Sequence, residues 1–303
     1  MEPSPFMVRL GTQLSTERAL SESSINSYTR ALYAMNGKKV FHSLTFLKSP
    51  ETIETTIEAY APSTKVTFYT VAASVLELVK DKAGYKRTYK IFYDKMMKGR
   101  HAQKEIDAKN ELTDREKEVW MTWDEVKAVH ADLKKEVDAF IAHPALSRSQ
   151  QDTLLSYLVL SLYVLIPPRR NRDYMDLVVV HDLPEDKTKN YYDLTKKELH
   201  FNVFKTAKTE GEKMVAAPAA LDEVIRGYLK HVLVAEGEKL LPFTNQNDIT
   251  RRLNKIFGKP IASGHLRHFY VSSKYGETLK SMRSDSHDMS HSLSTQKNYI
   301  KIL

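Results

Sequence analysis

The 303-residue sequence contains no cysteine. Disulfides, thiolate-ligated zinc and thiol nucleophiles are therefore excluded, and a reducing compartment suits the chain. Long apolar runs are missing too: none reaches the roughly 18 residues that a membrane-spanning helix needs. The opening residues MEPSPFMVRL lack the charged-then-apolar order of a secretory signal. These absences lead us to expect an intracellular protein, in cytoplasm or nucleus. There is no internal repeat and no low-complexity tract. With 42% hydrophobic and 28% charged residues the composition is that of a folded chain, long enough for one large domain or two ordinary ones. Charge of one sign is in deficit: 38 acidic residues stand against 46 Lys and Arg, a net charge of +8. That favours a polyanionic partner, because each phosphate neutralised by a cation releases counterions.

Hydrophobic spacing predicts helices over much of the chain. From Thr16 to about Lys98 the apolar residues recur at helical intervals. Ser23 or Ser24 is placed to cap a helix through Ile25, Tyr28, Leu32 and Tyr33. Further helices are expected across ETIETTIEAY, from Pro62-Ser63 to Val79, and over residues 87–98. Residues 99–118 are polar with mixed charge, the composition of a linker. Thr122 followed three residues later by Glu125 reads as a capping box. A strongly apolar helix from Leu146 to Leu165 is stopped by Pro167-Pro168. Strands are expected at LVVV, LHFNVF and KMVAAP, the last two forming a hairpin with Gly211 in its turn. Helices return at 221–235, 246–257, 266–280 and near 294–301. The expected fold is mainly α-helical with a small antiparallel β-sheet, in two domains: residues 1–105, a linker at 106–120, and residues 121–303.

Four clusters offer chemistry. PPRRNRDYMDL (167–177) places Arg169, Arg170 and Arg172 after the apolar helix. It is either a solvated basic turn or a phosphate clamp, since guanidinium presents a planar fork of donors. KTAKTEGEK (205–213) is either solvated lysines or a mobile turn carrying a proton donor. SGHLRHFYVSS (263–273) holds Arg267 between His265 and His268. MSHSLSTQKNY (289–299) sets His291 before Tyr299, a tyrosine among small polar residues. His287 and His291 have metal-ligand spacing, but with no cysteine and no third ligand in view no metal site is expected.

Taken in order, these clusters resemble the tyrosine recombinases, the phage-integrase family, which share a catalytic module with type IB topoisomerases. Arg170, Asp173 and Leu177 match the first arginine motif. Lys205-Thr206 matches the hairpin lysine, with Lys208-Thr209 nearly as good. Arg267-His268 match the second arginine box, but Gly264 stands where the family has histidine and His265 falls one step late. His291 and Tyr299 match the final motif, with Ser290 in place of glycine. The motifs cover the chain from about Met121; the N-terminal region corresponds only in layout to a helical core-binding domain.

The resemblance implies a recombinase or integrase of a virus or mobile element that uses no cofactor, neither metal nor ATP. Tyr299 would attack a backbone phosphorus and form a covalent 3′-phosphotyrosine, with Arg170 and Arg267 as clamps, Lys205 as acid to the leaving 5′-hydroxyl, and His291 and His265 on the phosphate. Double-stranded DNA is the implied partner, held by both modules, with dimers on a site and a tetramer in the synapse. Lys86, Arg87 and Lys90 on one helix, Arg251, Arg252 and Lys255 on another, and Lys208 are candidate phosphate contacts. The alternatives are a type IB topoisomerase-like relaxing enzyme and a decayed, non-catalytic DNA-binding protein.

Overall fold

The computed structural model describes residues 2–300. The chain is mainly helical with a small four-stranded mixed sheet, and it divides into two compact units, Met1–Leu112 and Thr113–Leu303.

The first unit holds α1 (Pro5–Arg18), α2 (Glu22–Met35), α3 (Pro50–Thr56), α4 (Pro62–Glu77) and α5 (Lys86–Lys109). Ser4 and Ser21 start the first two helices by accepting backbone N–H groups of Met7 and Ser24. The cap of α2 is thus Ser21, ahead of both expected positions, Ser23 and Ser24. Proline sits in the first turn of α1, α3 and α4, where its missing N–H has no partner to lose. Leu14, Leu32, Met35, Leu47, Ile53 and Phe92 fill the core. On α5 only Thr88, Phe92 and Met96 are buried, a stripe with the i, i+4 spacing that faces α4. One turn on, a Cβ at Gly99 would overlap Val66 Cγ2.

The polar stretch expected as a linker holds the boundary between the two units and is largely helical. It forms the last turns of α5, which Asn110 ends in a left-handed conformation, and α6 (Asp114–Val119), opened by a Thr113–Glu116 capping box. Its alanines, lysines, glutamates and glutamine are good helix formers, and Gln103 Nε2 donates to Asp107 Oδ1 at 2.7 Å, an i, i+4 pair.

The second unit continues through α7 (Trp123–Asp138), α8 (Arg148–Val164), α9 (Asn171–Met175), β1 (Leu177–Val180), β2 (Asn190–Asp193), β3 (Glu198–Phe201), α10 (Ala207–Glu210), β4 (Lys213–Ala216), α11 (Ala219–His231), α12 (Gln246–Phe257), α13 (Ser263–Asp288) and α14 (Leu293–Tyr299). The last helix was expected near 294–301, and residue 301 lies outside the described residues. The Thr122–Glu125 box opens α7 as expected. Every residue of α8 from Leu154 to Tyr163 is buried, so α8 is the central helix, against which α7, α11 and α12 are stacked.

The sheet runs β1-β2-β3-β4. It is mixed rather than antiparallel: β1 and β2 are parallel, while β2–β3 and β3–β4 are antiparallel. On the other edge of β1, residues 237–240 run antiparallel to it: Val179 donates to Glu238 O at 3.0 Å and Leu240 to Leu177 O at 2.8 Å. LVVV is therefore paired on both sides and wholly buried, as suits an unbroken apolar strand. The expected β3–β4 hairpin is present, and Gly211 has a φ of +68° that favours glycine.

Candidate active site

Pro167 and Pro168 stop α8 and leave Arg170 in an extended conformation at the start of α9. Buried hydrogen bonds fix that short helix. The Tyr163 hydroxyl donates to Asn171 Oδ1 at 2.8 Å, and Asn171 Nδ2 donates to Gln246 O and Thr250 Oγ1 on the α12 side. The Tyr174 hydroxyl donates to Leu162 O at 2.7 Å. Asn190, which opens β2, ties α9 to the hairpin. Its Nδ2 donates to Asp173 O and Val203 O, and its Oδ1 accepts from the N–H groups of Asn202 and Val203.

The three neighbouring arginines separate by role. Arg169 lies 3.8 Å above the Phe201 ring and donates to Asp173 Oδ2 at 2.9 Å, a structural position. Arg172 is exposed. Arg170 faces a cavity of about 330 Å³ whose lining also includes Arg169, Arg267, Asp173, Thr206, Glu210 and Lys213. Arg267 comes from the first turns of α13, so two guanidinium groups about 100 residues apart in the chain meet at one cavity. Neither forms an ion pair among the described residues, whereas Arg169 pairs with Asp173 and Lys213 with Glu210 at 3.5 Å. Burial, and then the like charge of Arg170, push the Arg267 pKa down. An anion between the two would relieve that repulsion. Burial also raises the Asp173 pKa, against the opposing charge of Arg169, and its Oδ1 is buried without a hydrogen-bond partner.

The structure does not bring every expected residue to this cavity. Lys205 and Lys208 are exposed in the β3–β4 connection and do not line it; Lys213, on β4, does. The lysine at the cavity thus stands on the strand after the turn rather than in the turn itself. His265 does not line it either. Its Nδ1 accepts the Ala262 N–H at 3.1 Å, capping α13, and its ring stacks on Phe269. Two residues apart on a helix are turned about 200° from each other, so His265 points away from the face that Arg267 uses. Gly264, three residues before Arg267, is on that face, and a Cβ there would meet no atom within 4 Å.

His291 and Tyr299 form a pair of their own, with ring centroids 5.6 Å apart. Tyr299 is 68% exposed, and His291 Nε2 is buried with no hydrogen-bond partner. The pair sits at the far end of α13. His291 N donates to Ser286 O at 3.0 Å, and Ser286 and Gln296 are hydrogen-bonded. At about 1.5 Å per residue, the helix from Arg267 to Asp288 spans roughly 30 Å. Neither residue lines the arginine cavity of its own chain.

The expected phosphate contacts divide likewise. Lys86, Arg87 and Lys90 are exposed on the first turns of α5 and form no ion pair among the described residues. Arg252 and Lys255 instead both reach Asp152 at 2.6 Å, bolting α12 to α8, and Arg251 pairs with Asp248 on its own helix. Among the described residues no group of three or more histidine and acidic side chains is arranged to hold a metal ion, and no helix is long and apolar enough to cross a membrane. No protein family, curated protein or solved structure matches the chain.

Proposed function

We propose that the chain is a site-specific DNA recombinase or integrase, breaking and rejoining strands through a covalent phosphotyrosine. One observation carries the reading: Arg170 and Arg267 converge on one cavity, and neither forms an ion pair among the described residues, although Asp173 and Glu210 line the same cavity. A cavity with two unpaired guanidinium forks suits a phosphodiester, whose charge grows in the transition state. In the proposed step Tyr299 Oη bonds to phosphorus and the bond from phosphorus to the 5′-oxygen breaks. The phenolic proton passes to His291, and the leaving oxygen takes a proton from a hairpin lysine, of which Lys213 lines the cavity. Rejoining runs these transfers backwards.

The test is covalent trapping. Full-length protein is incubated with a pool of nicked duplexes of randomised sequence, and the adduct is read on a denaturing gel. An adduct is expected, lost in Tyr299→Phe and reduced roughly 10²–10³-fold in Arg267→Lys. Duplex binding without any adduct would instead support a non-catalytic DNA-binding protein, the reading that the distance of Tyr299 from the cavity favours.

A further inference from the structure

We propose that Trp120 and Trp123 are positioning residues for Arg267: they clasp the first turns of α13 and hold its guanidinium at the cavity against the charge of Arg170. That Arg267 clamps a phosphate rests on the strand-transfer reading; that it is held does not. The chain has two tryptophans, and both belong to the clasp. Trp120 follows α6 as its C-cap, and Trp123 opens α7. They meet consecutive residues of α13 edge to face. Trp120 lies on Phe269 with ring centroids 5.0 Å apart, and Trp123 on Tyr270 at 5.2 Å.

Arg267 needs such a hold. Its guanidinium makes no hydrogen bond or ion pair among the described residues. Burial and the like charge of Arg170 both disfavour its charged form there. Asp173 offsets part of that charge but is already paired with Arg169. The side chain is therefore kept at the cavity by its helix, and the helix is seated mainly at its start. Ser263, Leu266 and Phe269 are buried, while no residue from 270 to 285 is. Phe269 is turned about 200° from Arg267 on the helix. The ring that Trp120 meets thus lies roughly opposite the cavity, where it blocks the retreat that repulsion from Arg170 favours.

A double-variant cycle in urea tests the hold without any DNA. Arg170→Gln removes the repulsion and is expected to raise the unfolding midpoint. In Trp120→Leu, which keeps an apolar side chain but loses the ring, α13 has already given way, so Arg170→Gln should gain less there than in the wild type. Equal gains would show that Trp120 only fills space, and no gain in the wild type would show that there is no repulsion to resist; either overturns the proposal. Tyr270→Leu, which removes the half-buried ring that Trp123 meets, repeats the cycle should Trp120→Leu fail to fold. On the nicked-duplex pool, Trp120→Leu is expected to form adduct up to roughly 10²-fold more slowly, the scale of an ångström-sized misplacement. Duplex affinity should move by less than about twofold, and Trp120→Phe should recover most of the rate. A rate that falls only as far as affinity does would overturn the positioning role. A wild type without adduct overturns the strand-transfer reading alone, and the urea cycle still decides whether the clasp holds Arg267.

Discussion

Arg170 and Arg267 show how much a single helical step decides. Residues 264 and 267 share a face of α13, and residue 265 does not. His265 therefore caps the helix rather than facing the cavity, although in sequence it stands nearer to Arg267 than Gly264 does. A second histidine, His130, is held by a different logic. Ser161 Oγ donates to Tyr157 O at 2.7 Å, so toward His130 Nε2, 2.8 Å away, it accepts. The neutral imidazole with its proton on Nε2 fits that arrangement. Burial, and secondarily the charge of Lys134, lower the His130 pKa below its usual 6.5. Between the lowered value and 6.5 the unfolded chain binds more protons, so stability rises with pH there and is lost on acidification. Urea midpoints are expected to fall as pH drops below about 6.5, and His130→Gln should flatten that decline. His265, lowered chiefly by burial, acts in the same direction, so a curve as steep in His130→Gln as in the wild type would place the effect elsewhere.

At the scale of elements, what was legible was local. The Thr122–Glu125 box, the apolar run of α8 and the Gly211 hairpin are written in consecutive residues. Arg170 and Arg267 stood out in the sequence, and their convergence on one cavity follows from α9 and α13. What was not legible depends on partners distant in the chain. NYYD becomes β2 because β1 and β3 pair with it on either side and Asn190 is saturated by four backbone groups. The polar end of α5 has no apolar face for periodicity to detect, so propensity alone makes it helical. The separation of Tyr299 from the clamps depends on α13 staying intact through Gly276, which local propensity disfavours. Gly99, by contrast, is a glycine that contact requires. In an open helix Gly→Ala stabilises by about 1 kcal/mol. Here the added methyl would meet Val66 across the α4–α5 contact, and overpacking costs about 1–3 kcal/mol. Gly99→Ala is therefore expected to lower the urea midpoint, and Val66→Ala in the same chain to restore part of the loss. A stabilised Gly99→Ala would show that the two helices have room to spare.

For the whole molecule, the net charge of +8 matters less than where cations are left unpaired. Arg252 and Lys255 share the Asp152 carboxylate and Arg251 has Asp248, so the basic look of α12 is largely spent inside the fold. The first turns of α5 differ: Lys86, Arg87 and Lys90 are exposed and carry no ion pair among the described residues. If they meet phosphates, each releases close to one counterion on duplex binding. Replacing all three by glutamine should then make the slope of log K against log salt shallower by about 2.7 for a B-form duplex. Arg252→Gln should leave the slope nearly unchanged and lower stability instead, because it leaves Asp152 with one cation fewer. Fluorescence anisotropy of a labelled duplex across a salt series measures the slopes, and urea unfolding the stabilities. An unaltered slope in the triple variant would remove α5 from the proposed DNA-binding surface, and a large change in Arg252→Gln would move that proposed surface to α12.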